Sequence, residues 1–249
     1  MSYNYLPLDR NWLHFSQVKD LLDFEQLVSI TFDAHAKIIA CRNYLDSKMA
    51  DKNGLFYGIN TGFGFLQNVK IDAGQIEQLQ YNLLVSHACG LGEEVPKEII
   101  KLMLMLKIKS LSYGNSGVQI DTVKRLMDMF NNDVLPVIYT QGSLGASGDL
   151  APLSHLSLPL IGLGDVWHEG RKMKTADVMP KFGWAPIHLQ SKEGLALING
   201  TQFMSAYGLF CLKKAEHLLQ MADLISALSF DAFDCTSEPL DPHIHTLRA

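Results

Sequence analysis

The sequence predicts a mostly α fold, and three observations predict it. Apolar residues recur at spacings of three and four over most of the 249-residue chain, the signature of helices with one buried face. Lys97–Ser112 is apolar on most sides, as a helix buried among other helices should be. Only one segment, DVWHEGRKM over 165–173, reads convincingly as β, a short hairpin turning at Glu169-Gly170.

The elements follow in order. Phe24 to Met49 is expected to form one helix, with Leu27, Ile30, Ala34, Ile38 and Cys41 in its buried stripe. Gln75 to Ala88 repeats the pattern with Ile76, Leu79, Leu83 and Leu84 and stops before Gly90, a residue suited to the end of a helix. Lys97–Ser112 opens after Pro96. Asp121 is the expected N-cap of a helix running to Phe130 and closed by Asn131 and Asn132. A further helix starts at about Asp149, and Gln202 to Phe233 reads as one long apolar-striped helix. The final stretch, SEPLDPHIHTLRA, has loop character. The long helix carries Leu209, Leu212, Leu218, Leu219, Leu224 and Leu228, which need cover from several directions. The chain is therefore expected to continue beyond Ala249, with 1–200 an N-terminal domain and 201–249 the truncated start of a helical bundle.

Composition narrows the function. A net charge of -5 with scattered Lys and Arg leaves no basic patch, so nucleic acid is not an expected partner. Cys41, Cys89, Cys211 and Cys235 form no CxxC pair and are expected as reduced core cysteines. The opening MSYNYLPLDRNW lacks the order of a signal peptide. The most apolar run, Leu150 to Leu163, is broken by His155 and Pro159 and is too short to span a bilayer. A soluble, cytoplasmic protein with no membrane association is expected. His243-x-His245 does not have the spacing of a metal pair on a helix, and no metal is expected. Gly142, Gly145 and Gly148 make no phosphate cradle, because neither a strand nor a GK[ST] accompanies them.

The stretch GSLGASGDLAPLSHL (142–156) places small, flexible residues just before a helix. Two readings fit it. One is a plain flexible helix entry, with Asp149 as its cap. The other is chemical: if the backbone bends sharply, the Gly148 nitrogen can attack the Ala146 carbonyl carbon and close a five-membered ring. Loss of water, including the Ser147 hydroxyl, then leaves an exocyclic methylidene, an electrophile made without external cofactor. Glycine is the residue whose backbone tolerates that bend.

Together with YGINTGFG (57–64), NLLVSHACGLGE (82–93), GNSGV (114–118) and EGLALINGTQ (193–202), this stretch resembles the histidine ammonia-lyase branch of the aromatic amino acid lyases. The resemblance covers nearly the whole chain. It implies a mostly helical fold, a 4-methylideneimidazol-5-one built from Ala146, Ser147 and Gly148, and elimination of ammonia from L-histidine to give urocanate. By the same resemblance Tyr57 is the base that takes the β-proton, His87 reads the substrate side chain, and Asn199 bonds the prosthetic ring or the substrate carboxylate. Each also has a plainer reading: a packed tyrosine, a histidine at a helix C-terminus, and an Asn-Gly turn. Gln202 reads as a structural neighbour.

Two departures qualify the resemblance. Asn115 stands where relatives often have histidine. Family chains are also about twice as long, and their second half supplies an arginine, a tyrosine and a glutamate to sites assembled in a homotetramer. The fragment itself is therefore not expected to turn over. L-tyrosine is the competing substrate, and an inactive helical scaffold is the competing class of function.

Overall fold

The computed structural model describes residues 5–23, 26–50, 56–62, 69, 71–143 and 146–247. Phe24, Phe63, Gly64 and Gly145, which entered the sequence reading, lie outside the described residues. The chain divides into two compact units, Met1–Tyr207 and Gly208–Ala249.

The first unit begins with β1 (Tyr5–Leu8) and α1 (Phe15–Asp23), followed by β2 (Leu27–Ile30) and α2 (Phe32–Met49). β1 and β2 pair in parallel, Tyr5 opposite Leu27 and Leu8 opposite Ile30. This corrects the single helix expected from Phe24. Leu27 and Ile30 happen to fall at helical spacing from Ala34, yet they belong to a strand. The helix starts only where the Thr31 hydroxyl accepts the Ala34 N–H at 3.2 Å. The other edge of β2 is met by a side chain. The Asn131 carboxamide accepts the Val28 N–H at 2.8 Å and donates to the Val28 carbonyl at 2.9 Å, as a neighbouring strand would.

α3 (Ile76–His87), β3 (Leu91–Glu94), α4 (Lys97–Leu111) and α5 (Ile120–Asn131) come next. α4 is the centre of the unit: nine of its fifteen residues are buried, including Ile100, Leu102, Met103 and Leu104, so it packs on all sides. α5 lies against α4, and Val123, Leu126 and Phe130 are among its buried residues. Its N-cap is Gln119, and Asp121 sits inside the first turn, a correction to the expected cap. Beyond α5 run β4 (Leu135–Pro136), β5 (Tyr139–Gln141), α6 (Leu150–Ser157) and a 3-10 turn over Leu158–Ile161. The expected hairpin forms as β6 (Asp165–His168) and β7 (Arg171–Lys174), with positive φ at Glu169 and Gly170, and β4 pairs with β6. It is not the only β structure, since β1, β2, β3 and β5 also form. α7 (Thr175–Val178) and α8 (Glu193–Ile198) precede α9 (Gln202–Ala232), whose first turns complete the unit.

The second unit holds the rest of α9, a 3-10 turn at Glu238–Leu240 and α10 (Pro242–His245). The loop expected here is thus partly helical, because the Asp241 carboxylate accepts the His243 N–H at 2.8 Å and starts a turn. Cys41 is half-buried, while Cys89, Cys211 and Cys235 are exposed, which corrects their placement in the core; an apolar sequence context does not fix which helix face a residue takes. Among the described residues, no helix is long and apolar enough to cross a membrane.

Candidate active site

Ala146 and Ser147 are exposed, and Gly148 follows them at φ +93°. A Cβ at Gly148 would be driven into the Gly200 carbonyl and stand 3.0 Å from the Gly200 nitrogen. The two glycines form an isolated parallel bridge, and the Asp149 N–H donates to the Gly200 carbonyl at 2.8 Å. The tripeptide and Asn199 are thereby brought together from opposite ends of the loop system. Beside them, the Gln202 Oε1 is buried without a hydrogen-bond partner among the described residues. Asp149 is buried, but its carboxylate does not cap α6. It accepts the Ser143 hydroxyl at 3.1 Å and the Met204 N–H at 3.0 Å, so it ties the loop to the first turn of α9.

Asn199 closes α8 with an exposed side chain. Its carbonyl accepts from Lys107 Nζ at 2.9 Å, and the Ala196 carbonyl accepts from the same nitrogen at 3.0 Å. Lys107 projects from α4 and is fully buried, and burial pushes its ammonium down to about 7. A neutral amine has two N–H donors, and these two carbonyls take both. At the other end of α8, the buried Glu193 carboxylate accepts the Gln119 N–H, the Gln119 side-chain amide, the Thr122 hydroxyl and the Gln190 N–H, all at 2.7–2.9 Å. Burial raises its pKa, and these hydrogen bonds oppose the rise. The Gln80 carboxamide oxygen accepts the Gly194 N–H at 2.9 Å. The Arg42 guanidinium donates to the carbonyls of Gly117 and Ser191, both at 2.9 Å. A six-residue helix that cannot hold itself is therefore fixed at both ends by buried polar groups that the sequence reading did not single out. One of them left a signal: a cation inside the apolar run LMLMLKIKSL.

His87 ends α3. Its Nδ1 lies 2.9 Å from the Leu83 carbonyl and 3.1 Å from the Ser86 hydroxyl, so Nδ1 carries the proton that the carbonyl accepts. The turn after it runs close to the strand leading into the tripeptide: Leu91 pairs with Gln141, and a Cβ on Gly142 would be 3.2 Å from the Gly90 Cα. Tyr57 is more than half exposed, on a turn held by its own bonds. The Phe56 carbonyl accepts the N–H groups of Ile59 and Asn60 at 3.1 Å, and the Asn60 carboxamide oxygen accepts the Phe56 N–H at 2.7 Å. Backbone bonds from this turn run to Val69 and Ile71. The described contacts thus join Asn199 to the tripeptide and bring the His87 turn to its approach strand, while Tyr57 is positioned locally.

The family model for aromatic amino acid lyases matches residues 13–249. The histidine ammonia-lyase of Deinococcus radiodurans is 44% identical over 241 residues, which cover 97% of this chain and 46% of the relative. The histidine ammonia-lyase of Trypanosoma cruzi, a solved structure, matches with a TM-score of 0.89 at 36% identity, over 98% of this chain and 47% of that one. The phenylalanine aminomutase of Pantoea agglomerans also matches with a TM-score of 0.89, at 27% identity over 98% of this chain and 47% of that one. The chain spans about half the length of the curated relatives it matches.

Proposed function

This chain belongs to the aromatic amino acid lyase family and carries its mostly helical fold, and from that premise we propose that the protein is a carbon–nitrogen lyase that eliminates ammonia from L-histidine to give urocanate. The observation that carries the proposal is the turn at Ala146-Ser147-Gly148, where Gly148 is held at positive φ against Gly200. The residues suit a 4-methylideneimidazol-5-one. Ala146 and Ser147 are accessible, Gly148 tolerates the bend, and the orphaned Gln202 oxygen lies beside Gly200. In forming it, the Gly148 nitrogen bonds to the Ala146 carbonyl carbon. That carbonyl oxygen leaves as water with the Gly148 and Ser147 amide hydrogens, and the Ser147 hydroxyl leaves as a second water with its Cα hydrogen. The group supplies an electrophile that draws electrons from the substrate amino nitrogen and makes it a better leaving group.

The other roles belong to side chains. Tyr57 takes the β-proton, a task that requires nearby positive potential to bring a phenol into its ionised form. Because His87 Nδ1 is engaged with Leu83, Nε2 is the acceptor with which it reads the substrate imidazole N–H. Asn199 bonds the ring or the substrate carboxylate. The histidine reading is favoured over the tyrosine one by the names of relatives 44% and 43% identical, both histidine ammonia-lyases. Residues 1–200 form the part that carries the loop, and 201–249 begin a central bundle. The working protein is a cytoplasmic homo-oligomer, a tetramer in its full-length form. The exposed Leu218, Leu224, Ile225 and Leu228 of α9 support that assembly.

Intact mass with peptide mapping tests the proposal, followed by turnover of L-histidine and L-tyrosine by the intact protein. The expected result is a deficit of two waters in the peptide holding Ala146 to Gly148, and release of urocanate. Ser147→Ala should show the full mass and no turnover. An unmodified wild-type mass, or normal turnover by Ser147→Ala, overturns it.

A further inference from the structure

One histidine of the family motif has no role in the reaction described above. His155 stands on α6, half-buried, seven residues after Gly148. Its Nε2 accepts the Gly90 N–H at 3.0 Å, and its ring meets Tyr139 edge-on, with centroids 5.3 Å apart and planes at 75°. Three segments converge there: the turn that follows His87, the start of β5 on its way to the tripeptide, and α6. They fit closely. A Cβ on Gly90 would stand 3.0 Å from His155 Nε2 and 3.3 Å from Tyr139 Cβ, and one on Gly142 would stand 3.4 Å from Ala151 Cβ. The preceding residue makes a second link, since the Ser154 hydroxyl donates to the Leu84 carbonyl in the last turn of α3. Two adjacent residues of α6 therefore hold the end of the helix that presents His87.

We propose that His155 is a positioning residue for substrate recognition: as the neutral imidazole it accepts the Gly90 N–H and fixes the turn behind His87, and on protonation it releases that turn. Nε2 can accept only if the ring proton is on Nδ1. The imidazolium carries a hydrogen on both nitrogens and has no lone pair to offer, so the Gly90 N–H loses its partner. Burial favours the neutral form, lowering the pKa from its ordinary value. The titratable groups on the elements around it are Glu77, Tyr81 and His87 on α3, Cys89 in the turn, Glu93 on β3, Tyr139 on β5, Lys172 at 5.8 Å from the Tyr139 ring with its partner Glu94, Asp149 at the start of α6, and Glu193 on α8. What the turn is for rests on the lyase reading; the clamp itself does not.

The test is amide hydrogen exchange of the peptide containing Gly90 in the intact protein, corrected for intrinsic rates, from about pH 8 down to about pH 4, well below the ordinary histidine value. Wild type should be protected at the upper end and lose roughly tenfold in protection at the lower. His155→Gln offers an acceptor that does not titrate, and should keep its protection throughout. His155→Phe should lack protection at every pH. Equal pH dependence in wild type and His155→Gln, or wild-type protection in His155→Phe, overturns the clamp. The Gln variant decides the matter even if the Phe variant fails to fold. In turnover, KM for L-histidine should rise toward acid pH more in wild type than in His155→Gln, with kcat moving less. That ratio cancels titration of the substrate itself. If exchange responds as described and the KM ratio stays flat, the clamp stands and His87 is not the substrate reader.

Discussion

α4 and α9 are both long apolar helices, and they meet opposite fates. α4 buries nine of its fifteen residues, whereas Ala206 is the buried residue in the thirty-one of α9. Leu104 on the first is wholly enclosed, while Leu224 on the second is 54% exposed. Apolar content is thus a statement about what a helix can bury, and the surroundings decide whether it does. In α4 the surroundings are so complete that a lysine is enclosed with the leucines. The largest expected effect follows. Leu104→Ala leaves a cavity in rigid surroundings and should cost about 2–5 kcal/mol of unfolding free energy, read by denaturant titration. A cost under about 1 kcal/mol would mean that α4 is not the centre of the unit.

The second contrast sets two lysines against each other. Lys107 of α4 has a pKa lowered to about 7, while Lys214 of α9 is exposed beside the Phe210 ring. The sign for Lys107 is fixed by linkage. Between about 10.5 and 7 the unfolded chain binds a proton that the folded one refuses, so stability falls as pH drops through that window and levels off below it. Lys107→Met removes this slope. It also leaves the carbonyls of Ala196 and Asn199 without their donor. Its penalty should therefore be greatest near pH 10 and shrink by a few kcal/mol towards pH 7. Lys214→Met should change stability by about 0.5 kcal/mol or less at either pH. A pH-independent Lys107→Met penalty would show that the amine is reached by water.

The same contrast explains what the sequence could and could not reveal. α4 was legible because an all-round apolar run has one interpretation, and the β6–β7 hairpin because Glu169-Gly170 sits between strands it joins directly. β1 and β2 were not. Four residues cannot establish an alternation, and the partner that makes each a strand lies more than twenty residues away. In the site, the tripeptide, His87 and Asn199 stood within contiguous motifs. The groups that hold them, Lys107, Glu193 and His155, each reach a backbone atom 65 to 92 residues distant, and no local spacing encodes such a pairing.

The smallest effect is expected on α9, and it separates stability from assembly. Leu218, Leu224, Ile225 and Leu228 are each more than half exposed, so truncating one removes little buried surface from the folded chain. Leu224→Ala should shift unfolding of the first unit by about 0.5 kcal/mol or less, against the several expected at Leu104. If the helix is an interface in the working protein, the same change should weaken self-association, read by sedimentation of the intact protein across a concentration series. The two readouts must then part company: assembly moves and the unfolding of a dilute chain does not. A large loss of stability in the dilute chain would mean that Leu224 is already covered within it. An unchanged assembly would mean that α9 is not an interface of the proposed oligomer.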